Sequence, residues 1–525
     1  MPHAVIPTKR RVLVIGAGAS GLAAIQQALE AGLEPVCIEA RSTVGGIWQY
    51  EEPSRPCIVR FDSDGTPRLR VPGEGEVGVP PAPNPVYNGL RTNTPTPLMQ
   101  YRGGPKFPPS VGLFCRHDQV FAYLDEFSKP FLPYIRFNTR VHSLRHTLPS
   151  DPPAAVPPSE SLGPGREGPP GRRRWFASFG STLPGTSELG SEQFDAVFVA
   201  NGKYAEPYVP RIPGLSTFTG SLLHAKWYRT PDQFKDKNIL IVGSAASGSD
   251  IAREAAQYRS ARRAAGVPES QLPRIYQAIR ERDKVSASVS CEPTMPSAEV
   301  EIVIIPPLAS VSDKSVTLIN GTTLDGVDTI IFATGYLYSY PFAQVNHEPF
   351  KSFPLTRQST EPARADPAAA SQSSEETVAG MRVHNLDDRL LFYLPDPTLV
   401  ILTAPYLVIP FPLAQIQARL AARHFAESAA LPAPLTFKPN PALRGPDGSE
   451  NGAAETRTAV SWGEPFHSDM RDRMLQESGD IRLQLHDEER GSQDTEQAGV
   501  WGPTPQFERD LVAALPQLRK VSLGY

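Results

Sequence analysis

The chain has 525 residues, of which 40% are hydrophobic and 21% are charged, a composition typical of folded globular proteins. Because a chain of this length exceeds one hydrophobic core, we expect two or more domains. The formal net charge of −4 provides no basic surface for nucleic acid or anionic membranes, and the four widely separated cysteines predict neither a disulfide framework nor a metal site or dithiol redox centre.

Neither a leader nor a membrane span is predicted. Residues 1–11 lack the apolar core of a signal peptide, and no run reaches the roughly 18 apolar residues of a transmembrane helix. The most apolar stretch, residues 402–413, contains three prolines and is expected to lie in the core. We therefore expect a soluble, cytoplasmic protein.

The first predicted strand, residues 12–15, runs into a glycine turn and an Ala/Leu-rich helix. Strand, turn and helix in this order are the context that the dinucleotide-binding fingerprint requires. In that fingerprint Gly16 permits the tight turn, Gly18 lets a pyrophosphate approach the backbone, and Gly21 lets the helix pack on the strand. The helix N-terminus attracts phosphate. These features predict a bound dinucleotide, the alternative being a strand–helix turn without a ligand.

A second predicted strand, residues 35–39, ends in Glu39. This acid lies 23 residues after Gly16, near the spacing of about 20 for a carboxylate that binds ribose hydroxyls. Residues 45–48 (Gly-Gly-Ile-Trp) follow, either as a plain loop or as a close backbone approach to a cofactor. Their position after Glu39 favours the cofactor.

A less regular region extends to about residue 210. The segment 51–85, rich in Pro, Gly and charge, is expected to be a surface excursion, and 149–171 to be a loose low-complexity loop. A helix is predicted at 118–127, with Asp118 as its N-cap. Short strands are predicted at 141–144, 175–179 and 194–200.

A second nucleotide unit is predicted from residue 237 onward. An apolar strand at 238–242 leads into Gly243-Ser-Ala-Ala-Ser-Gly248 and a helix at 249–258. Ala245 stands where the fingerprint has its middle glycine, and its methyl group would crowd a pyrophosphate. The complete strand–turn–helix frame nevertheless predicts nucleotide binding.

The strand that follows, 274–280, ends in Arg280 instead of an acid. Arg280 lies 37 residues after Gly243, a long spacing that we assign to an insertion at 259–273. A carboxylate would repel a 2′-phosphate, whereas a guanidinium can bind one with two hydrogen bonds. This residue therefore predicts NADP(H) over NAD(H).

The remaining elements return the chain to the first unit. Residues 327–336 repeat the design of 194–202, an acid and an apolar strand before a turn that ends in Gly. We predict an α/β fold with two dinucleotide-binding (Rossmann-like) domains, the second inserted into the first, with boundaries at 1–210, 211–330 and 331–525. Further strands are predicted at 301–306, 315–319, 390–394 and 399–403, a helix at 413–425, and loose insertions at 362–377 and 440–455.

These residues together resemble the flavin-containing monooxygenases. Phe218-x-Gly-x-x-x-His224-x-x-x-Tyr228 matches the identifying motif of that family at every defined position. Baeyer–Villiger monooxygenases carry Trp at the last position. The resemblance extends to 92–95, 332–336 and most of the chain. The departures are Ala245, the loose insertions, and the lack of a C-terminal membrane anchor such as animal members carry, which favours a soluble, fungal- or bacterial-type enzyme.

The resemblance implies two cofactors, FAD in the first domain and NADPH in the second. The FAD pyrophosphate would lie on Gly16, Ala17, Gly18, Ala19, Ser20 and Gly21, its ribose on Glu39, and its flavin beside Ile47, Trp48, Asn93 and Thr94. NADPH would contact Thr92, Asn93, Gly243, Ser247, Gly248, Ser249, Asp250 and Arg280.

The resemblance also implies the reaction. NADPH would reduce FAD, O2 would add at the flavin C4a position, and the resulting hydroperoxide would oxygenate a soft nitrogen or sulfur atom of a small molecule. Asn93 would be the catalytic residue, because its amide can hydrogen-bond both the peroxyflavin and the nicotinamide. The protein would exclude water. His224 would join the two domains and would not act as a base.

Three other functions are weighed against this one. A Baeyer–Villiger enzyme would act on ketones. A non-catalytic, FAD-binding redox sensor is favoured only by Ala245. A disulfide reductase would need a paired dithiol, which the cysteine spacing does not provide. The expected partners are a small-molecule substrate and O2, without nucleic acid, and the sequence leaves the oligomeric state open.

Overall fold

The computed structural model describes residues 9–53, 58–62, 65–151, 175–186, 189–280, 301–357, 379–426, 431–440, 466–480 and 501–523. The predicted insertion at 362–377 lies outside the described residues, as do 149–171 after its first three residues and 440–455 after its first.

The secondary structure alternates between strands and helices. The α-helices are α1 Ala19–Glu30, α2 His117–Ser128, α3 Ala246–Ala264, α4 Pro410–Phe425, α5 Phe466–Glu477, α6 Gln506–Ala513 and α7 Leu515–Leu523. The strands are β1 Arg11–Ile15, β2 Glu34–Ile38, β3 Ile58–Phe61, β4 Pro67–Arg70, β5 Ile135–Arg136, β6 Thr139–His146, β7 Trp175–Ser181, β8 Leu189–Phe194, β9 Ala196–Val199, β10 Glu206–Pro207, β11 Ser221–His224, β12 Ile239–Val242, β13 Ile275–Ala278, β14 Ile302–Ile305, β15 Leu308–Ser312, β16 Ser315–Leu318, β17 Thr323–Leu324, β18 Thr329–Phe332, β19 Tyr336–Ser339, β20 Ala379–Gly380 and β21 Leu399–Ile401.

The first parallel sheet has the order β21-β9-β1-β2-β5. Its central strand β1 is buried on both faces, as the continuous apolar run predicts. Val12 and Val14 face a core shared with α1 and α4, whereas Leu13 and Ile15 face a core shared with the antiparallel sheet β6-β7-β8. The sheet is therefore covered by helices on one face and by strands on the other.

The second parallel sheet has the order β11-β18-β12-β13-β14 and is formed entirely by residues 221–332. It lies in the chain between β9 and β21, two neighbours in the first sheet. The predicted α/β fold with one Rossmann-like unit inserted into another is thus confirmed. In each unit the helix that follows the glycine turn, α1 or α3, begins at the carboxyl end of a central strand.

The predicted surface excursion at 51–85 is more than a surface loop. Its strands β3 and β4 form an antiparallel hairpin, and Phe61 and Leu69 pack against the core of the second sheet. Ala82 and Asn84 are also buried. Phe61 and Leu69 of the excursion thus contact a sheet that is distant in sequence. The excursion is therefore a bridge between the two units.

Asp118 is not the N-cap of α2, and this prediction is wrong by two residues. Arg116 occupies the N-cap, and its backbone N–H donates to Gln119 Oε1 at 2.9 Å. Asp118 lies in the first turn, where its carboxylate pairs with Arg116 Nε at 3.1 Å. A carboxylate in the first turn interacts favourably with the positive end of the helix dipole, but it does not cap the helix.

Two further elements differ from prediction. The segment assigned to an insertion at 259–273 begins as helix, because α3 continues to Ala264. Arg259 and Arg263, on those last turns, both pair with the buried Glu301. The predicted strand at 390–394 is an irregular turn with isolated bridges, in which Leu390 has φ +51°.

None of the helices in the described ranges is both long enough and apolar enough to cross a lipid bilayer.

Candidate cofactor and active site

One large cavity of about 2280 Å³ lies where the carboxyl ends of the two parallel sheets face each other. It is lined by residues that follow β1, β2, β9 and β21 of the first sheet and β12 of the second. Sites for a single drug-sized ligand occupy roughly 300–1,000 Å³. The cavity therefore has room for two dinucleotides side by side, at the position where α/β sheets bind their ligands.

The surroundings of the three glycines in the first turn differ in whether they leave room for a Cβ atom. Gly16 has φ +99°, and a Cβ there would lie 2.7 Å from the Ala200 carbonyl oxygen. A Cβ on Gly21 would lie 1.8 Å from the Gly16 oxygen. At Gly18 the nearest atom would be Gly46 Cα at 3.5 Å, an ordinary contact. The protein itself does not require a glycine at 18, which instead keeps the cavity open for a ligand.

The N-terminus of α1 faces this cavity through Ala19 and Ser20. Among the described residues, no side chain caps this end of the helix, and its first turn carries no acid. The positive end of the helix dipole therefore remains available to an anion. A pyrophosphate fits this environment.

Glu39 is 6% exposed, and its carboxylate is held by two backbone N–H groups. Ala17 N donates to Oε2 at 2.7 Å, and Arg41 N donates to Oε1 at 2.8 Å. Burial raises the pKa of Glu39, and the two backbone hydrogen bonds oppose that rise. Each carboxylate oxygen retains a second lone pair, which a ribose hydroxyl can use.

The other predicted residues of the FAD side meet at the same cavity. Ile47 and Trp48 line it from a short 3₁₀ turn, and Thr92, Asn93 and Thr94 line it from the loop before α2. Ala17 and Gly21 are buried beneath the turn and do not line the cavity. Their part is structural, since Ala17 holds Glu39 and Gly21 lets α1 approach β1.

The second glycine turn repeats the backbone of the first. Gly243 has φ +120°, and a Cβ on it would meet the Ala333 oxygen at 2.5 Å. Ala245 has φ −75° and ψ −179°, nearly the values of −75° and −170° at Gly18. Because both are extended conformations that any residue adopts, the alanine causes no backbone strain.

The predicted NADPH residues divide into two groups. Ser247 and Asp250 line the cavity, whereas Gly243, Gly248 and Ser249 do not. Arg280 is exposed two residues beyond β13 and is not among the cavity-lining residues. Burial raises the pKa of Asp250, whose carboxylate accepts hydrogen bonds from Tyr87 and Arg253.

His224 is fully buried and is not among the cavity-lining residues. Its Nδ1 accepts a hydrogen bond from Lys226 N at 3.1 Å, and its Nε2 lies 3.0 Å from the Gly335 oxygen. The imidazole thus connects the end of β11 to the segment after β18. This environment fits a structural connection.

Sequence reasoning missed Arg229, which directly follows the last residue of the 218–228 motif. The side chain is 2% exposed. Its Nε donates to the Glu51 oxygen and its Nη2 to the Asn84 oxygen, each at 2.8 Å. One guanidinium thus holds both ends of the 51–84 excursion. Its place beside Tyr228 was the available signal, but its partners are distant in sequence.

Lys203 was also missed. It lines the cavity, and its ammonium donates to three consecutive carbonyl oxygens, those of Thr403, Ala404 and Pro405. Its Nζ also lies 4.4 Å from the centre of the Tyr406 ring. Burial lowers the pKa of Lys203 to about 7. The lysine follows the Asn-Gly turn after β9, but nothing local identifies its carbonyl partners.

The segment predicted as core at 402–413 is divided between two environments. Leu402 and Leu413 are buried away from the cavity, in agreement with that prediction. Tyr406, Leu407 and Val408 instead line the cavity, and Leu407 is 74% exposed. This loop supplies an apolar wall to the site.

Comparison with known proteins relates the chain to flavoenzymes. A family model described as flavin-binding monooxygenase-like matches residues 9–61 and 185–265, which contain both glycine turns and the 218–228 motif. The flavin-containing monooxygenase iboF of Amanita muscaria is 30% identical over 390 residues, covering 64% of this chain and 66% of that protein. The flavin-containing monooxygenase ustF2 of Aspergillus flavus is 27% identical over 502 residues, covering 88% and 89%.

Among solved structures, the chain is similar to S-allyl-L-cysteine S-oxygenase from Allium sativum. The TM-score is 0.64 at 20% identity, with 98% of this chain and 94% of that chain covered. At this identity the likeness shows a common fold. The chain spans just under two thirds of the length of iboF and most of the length of ustF2.

Proposed function

The chain belongs to the flavin-containing monooxygenase family, and we propose that it transfers one oxygen atom from O2 to a soft nucleophilic nitrogen or sulfur atom of a small molecule. Members of this family are NADPH-dependent oxidoreductases that use FAD. The single observation that carries the proposal is the shared cavity, because Gly18 of the first turn and Ser247 of the second line the same space.

The first unit holds FAD in this proposal. The pyrophosphate occupies the space that Gly18 leaves open at the N-terminus of α1, and the ribose hydroxyls bind Glu39. Bound FAD, once reduced by NADPH, supplies the chemistry that activates O2. Trp48 and Asn93 line the same cavity and would contact the flavin.

The second unit holds NADPH. Ser247 lies in the first turn of α3, where backbone N–H groups favour a pyrophosphate. Arg280 is exposed and follows the next strand of the sheet, and its guanidinium would bind the 2′-phosphate. Asp250 lines the same cavity, and its carboxylate is held by Tyr87 and Arg253.

Asn93 is the catalytic residue of the proposal. It lines the cavity between the two turns, and an amide can donate and accept hydrogen bonds at once. The apolar wall of Met99, Leu407 and Phe411 surrounds the same space and limits the entry of water. Exclusion of water by this wall would favour oxygen transfer to the substrate over release of H2O2.

Oxygenation of nitrogen or sulfur is favoured over ketone oxidation by Tyr228. The motif ends in this tyrosine, where Baeyer–Villiger enzymes carry tryptophan. Tyr228 is fully buried, and its hydroxyl donates to Glu254 Oε2 at 2.6 Å. A tryptophan could not reproduce that hydrogen bond with the same geometry.

The test uses purified, FAD-replete protein with NADPH and O2. N,N-dimethylaniline and methyl p-tolyl sulfide are expected to stimulate NADPH oxidation and to yield the N-oxide and the sulfoxide. Cyclohexanone, the matched ketone probe, is expected to yield no lactone. NADPH oxidation that no nucleophile stimulates, with no oxygenated product by mass spectrometry, would overturn the proposal.

A further inference from the structure

The C-terminal segment 501–523, which contains α6 and α7, is fixed to the helices of the first unit. Thr504 donates from its backbone N and its hydroxyl to Asp472 Oδ1, at 2.6 and 2.7 Å. Arg471 Nη2 pairs with Glu508 Oε2 at 3.1 Å. The guanidinium of Arg419 lies over the Trp501 ring at 4.1 Å. These contacts hold the segment against α4 and α5.

The same segment reaches the cavity loop at two points. Arg102 Nη1 donates to the Gly502 oxygen at one end of the segment. Near the other end, Arg519 Nε donates to the Asn93 oxygen at 2.7 Å. The loop from 93 to 102 is therefore held at both of its ends by residues about 400 positions later in the chain.

Asn93 depends on this contact for its backbone position. Its neighbours are fixed by sheet-like bonds, because Thr92 N donates to the Cys115 oxygen and Thr96 N to the Leu113 oxygen, both at 2.8 Å. Within the described part of the chain, Asn93 itself makes no backbone–backbone hydrogen bond. Among the residues described, its side-chain Oδ1 has only a long contact of 3.5 Å, with Thr94 Oγ1. The guanidinium of Arg519 is thus the main anchor of this residue.

We propose that Arg519 is a positioning residue for Asn93, so that α7 determines where the Asn93 amide lies in the cavity. This inference rests on the proposed function, which assigns Asn93 to the reaction. Arg519 does not line the cavity, and it contacts Asn93 through the Asn93 carbonyl oxygen. Loss of this contact removes the anchor of the Asn93 backbone and lets the amide leave its position, while the bonds of Thr92 and Thr96 and both cofactor turns remain intact.

The experiment compares R519A, R519K and N93A with the wild type in the full-length holoenzyme. Product formed per NADPH oxidised is expected to fall several-fold in R519A, with a matching rise in H2O2. FAD content and the KM for NADPH are expected to stay at the wild-type values. R519K, which keeps a cation at the site, is expected to recover part of the coupling. The exposed Gln517 of α7 provides the matched control, since Q517A is expected to couple like the wild type.

A double variant separates positioning from a general structural effect. If Arg519 acts through Asn93, the variant N93A/R519A loses no more coupling than N93A alone, because Arg519 affects coupling only by positioning the amide that N93A removes. Additive losses, or a fully coupled R519A variant, would overturn the role given to Arg519. A wild-type protein that forms no product from any amine or sulfide would overturn the proposed function itself, so the two failures are distinguishable.

Discussion

Gly18 and Gly46 face each other across the first nucleotide turn, and a Cβ built on Gly18 would lie 3.5 Å from the Gly46 Cα. This is an ordinary van der Waals distance, so the fold accommodates a methyl group at position 18. Packing within the described chain therefore does not require a glycine at this position, and the proposed pyrophosphate site supplies a reason for it. At position 18, folding therefore allows an alanine, whereas the proposed FAD binding requires a glycine.

The variant G18A is expected to fold with wild-type thermal stability but to bind FAD on the order of tenfold more weakly or worse, because the methyl group occupies the path of the pyrophosphate. FAD content by absorbance and melting temperature by calorimetry measure the two effects. The control G21A is expected to lose stability, since its Cβ would lie 1.8 Å from the Gly16 oxygen. Full FAD occupancy in G18A would contradict the placement of the pyrophosphate.

Replacing Arg280 tests the preference for NADPH. R280A is expected to raise the KM for NADPH on the order of tenfold while leaving the KM for NADH unchanged, because only NADPH carries the 2′-phosphate. Steady-state kinetics with both coenzymes measure this. Arg274 is the matched control, since it is also exposed and precedes the amino end of β13, opposite the cavity. Equal effects of R280A on both coenzymes would remove Arg280 from the site.

Lys203 predicts a pH dependence. Its ammonium supplies three N–H donors to the carbonyls of residues 403–405, and burial lowers its pKa to about 7. The charged form therefore predominates below pH 7, and above it the neutral amine has one donor fewer. Product formed per NADPH is expected to fall as the pH rises through about 7. In K203M this pH-dependent fall in product per NADPH is expected to disappear. A fall of unchanged size would mean that another group causes it.

Arg229 predicts a stability effect. R229A leaves the carbonyls of Glu51 and Asn84 without their donor, and a hydrogen bond to a charged group contributes about 1.5–3 kcal/mol. The free energy of unfolding from urea titration is expected to fall by about that amount. K235A, at an exposed lysine, serves as the control, because a surface replacement changes the free energy of unfolding by about 0.5 kcal/mol or less. If R229A leaves the free energy of unfolding unchanged, other contacts hold the excursion.

Local sequence patterns were sufficient to predict an element wherever neighbouring residues alone determine that it forms. The run at 12–15 is apolar on both faces, which is the requirement of a central parallel strand, and β1 is found there. Gly16 and Gly21 are demanded by atoms within a few residues or by the adjacent strand, so the turn could be identified before any contact was known. The second unit followed for the same reason, although Ala245 replaces one glycine.

Prediction failed where distant residues decide the outcome. The hairpin β3–β4 lies in a segment, 51–85, that is rich in Pro, Gly and charge, yet Phe61 and Leu69 pack against a core that belongs to the second sheet. The last turns of α3 are held by the pairing of Arg259 and Arg263 with Glu301, about 40 residues away. Composition within a window carries no information about such partners.

By itself, the sequence determined that two nucleotide-binding units exist and that one interrupts the other, because strand, glycine turn and helix are specified by neighbouring residues. Only the tertiary structure decided what surrounds the space between them. Lys203, Arg229 and Arg519 each donate to backbone carbonyls of a segment far away in the chain. Every residue has such a carbonyl, so no side chain marks the acceptor, and folding alone selects which one is reached.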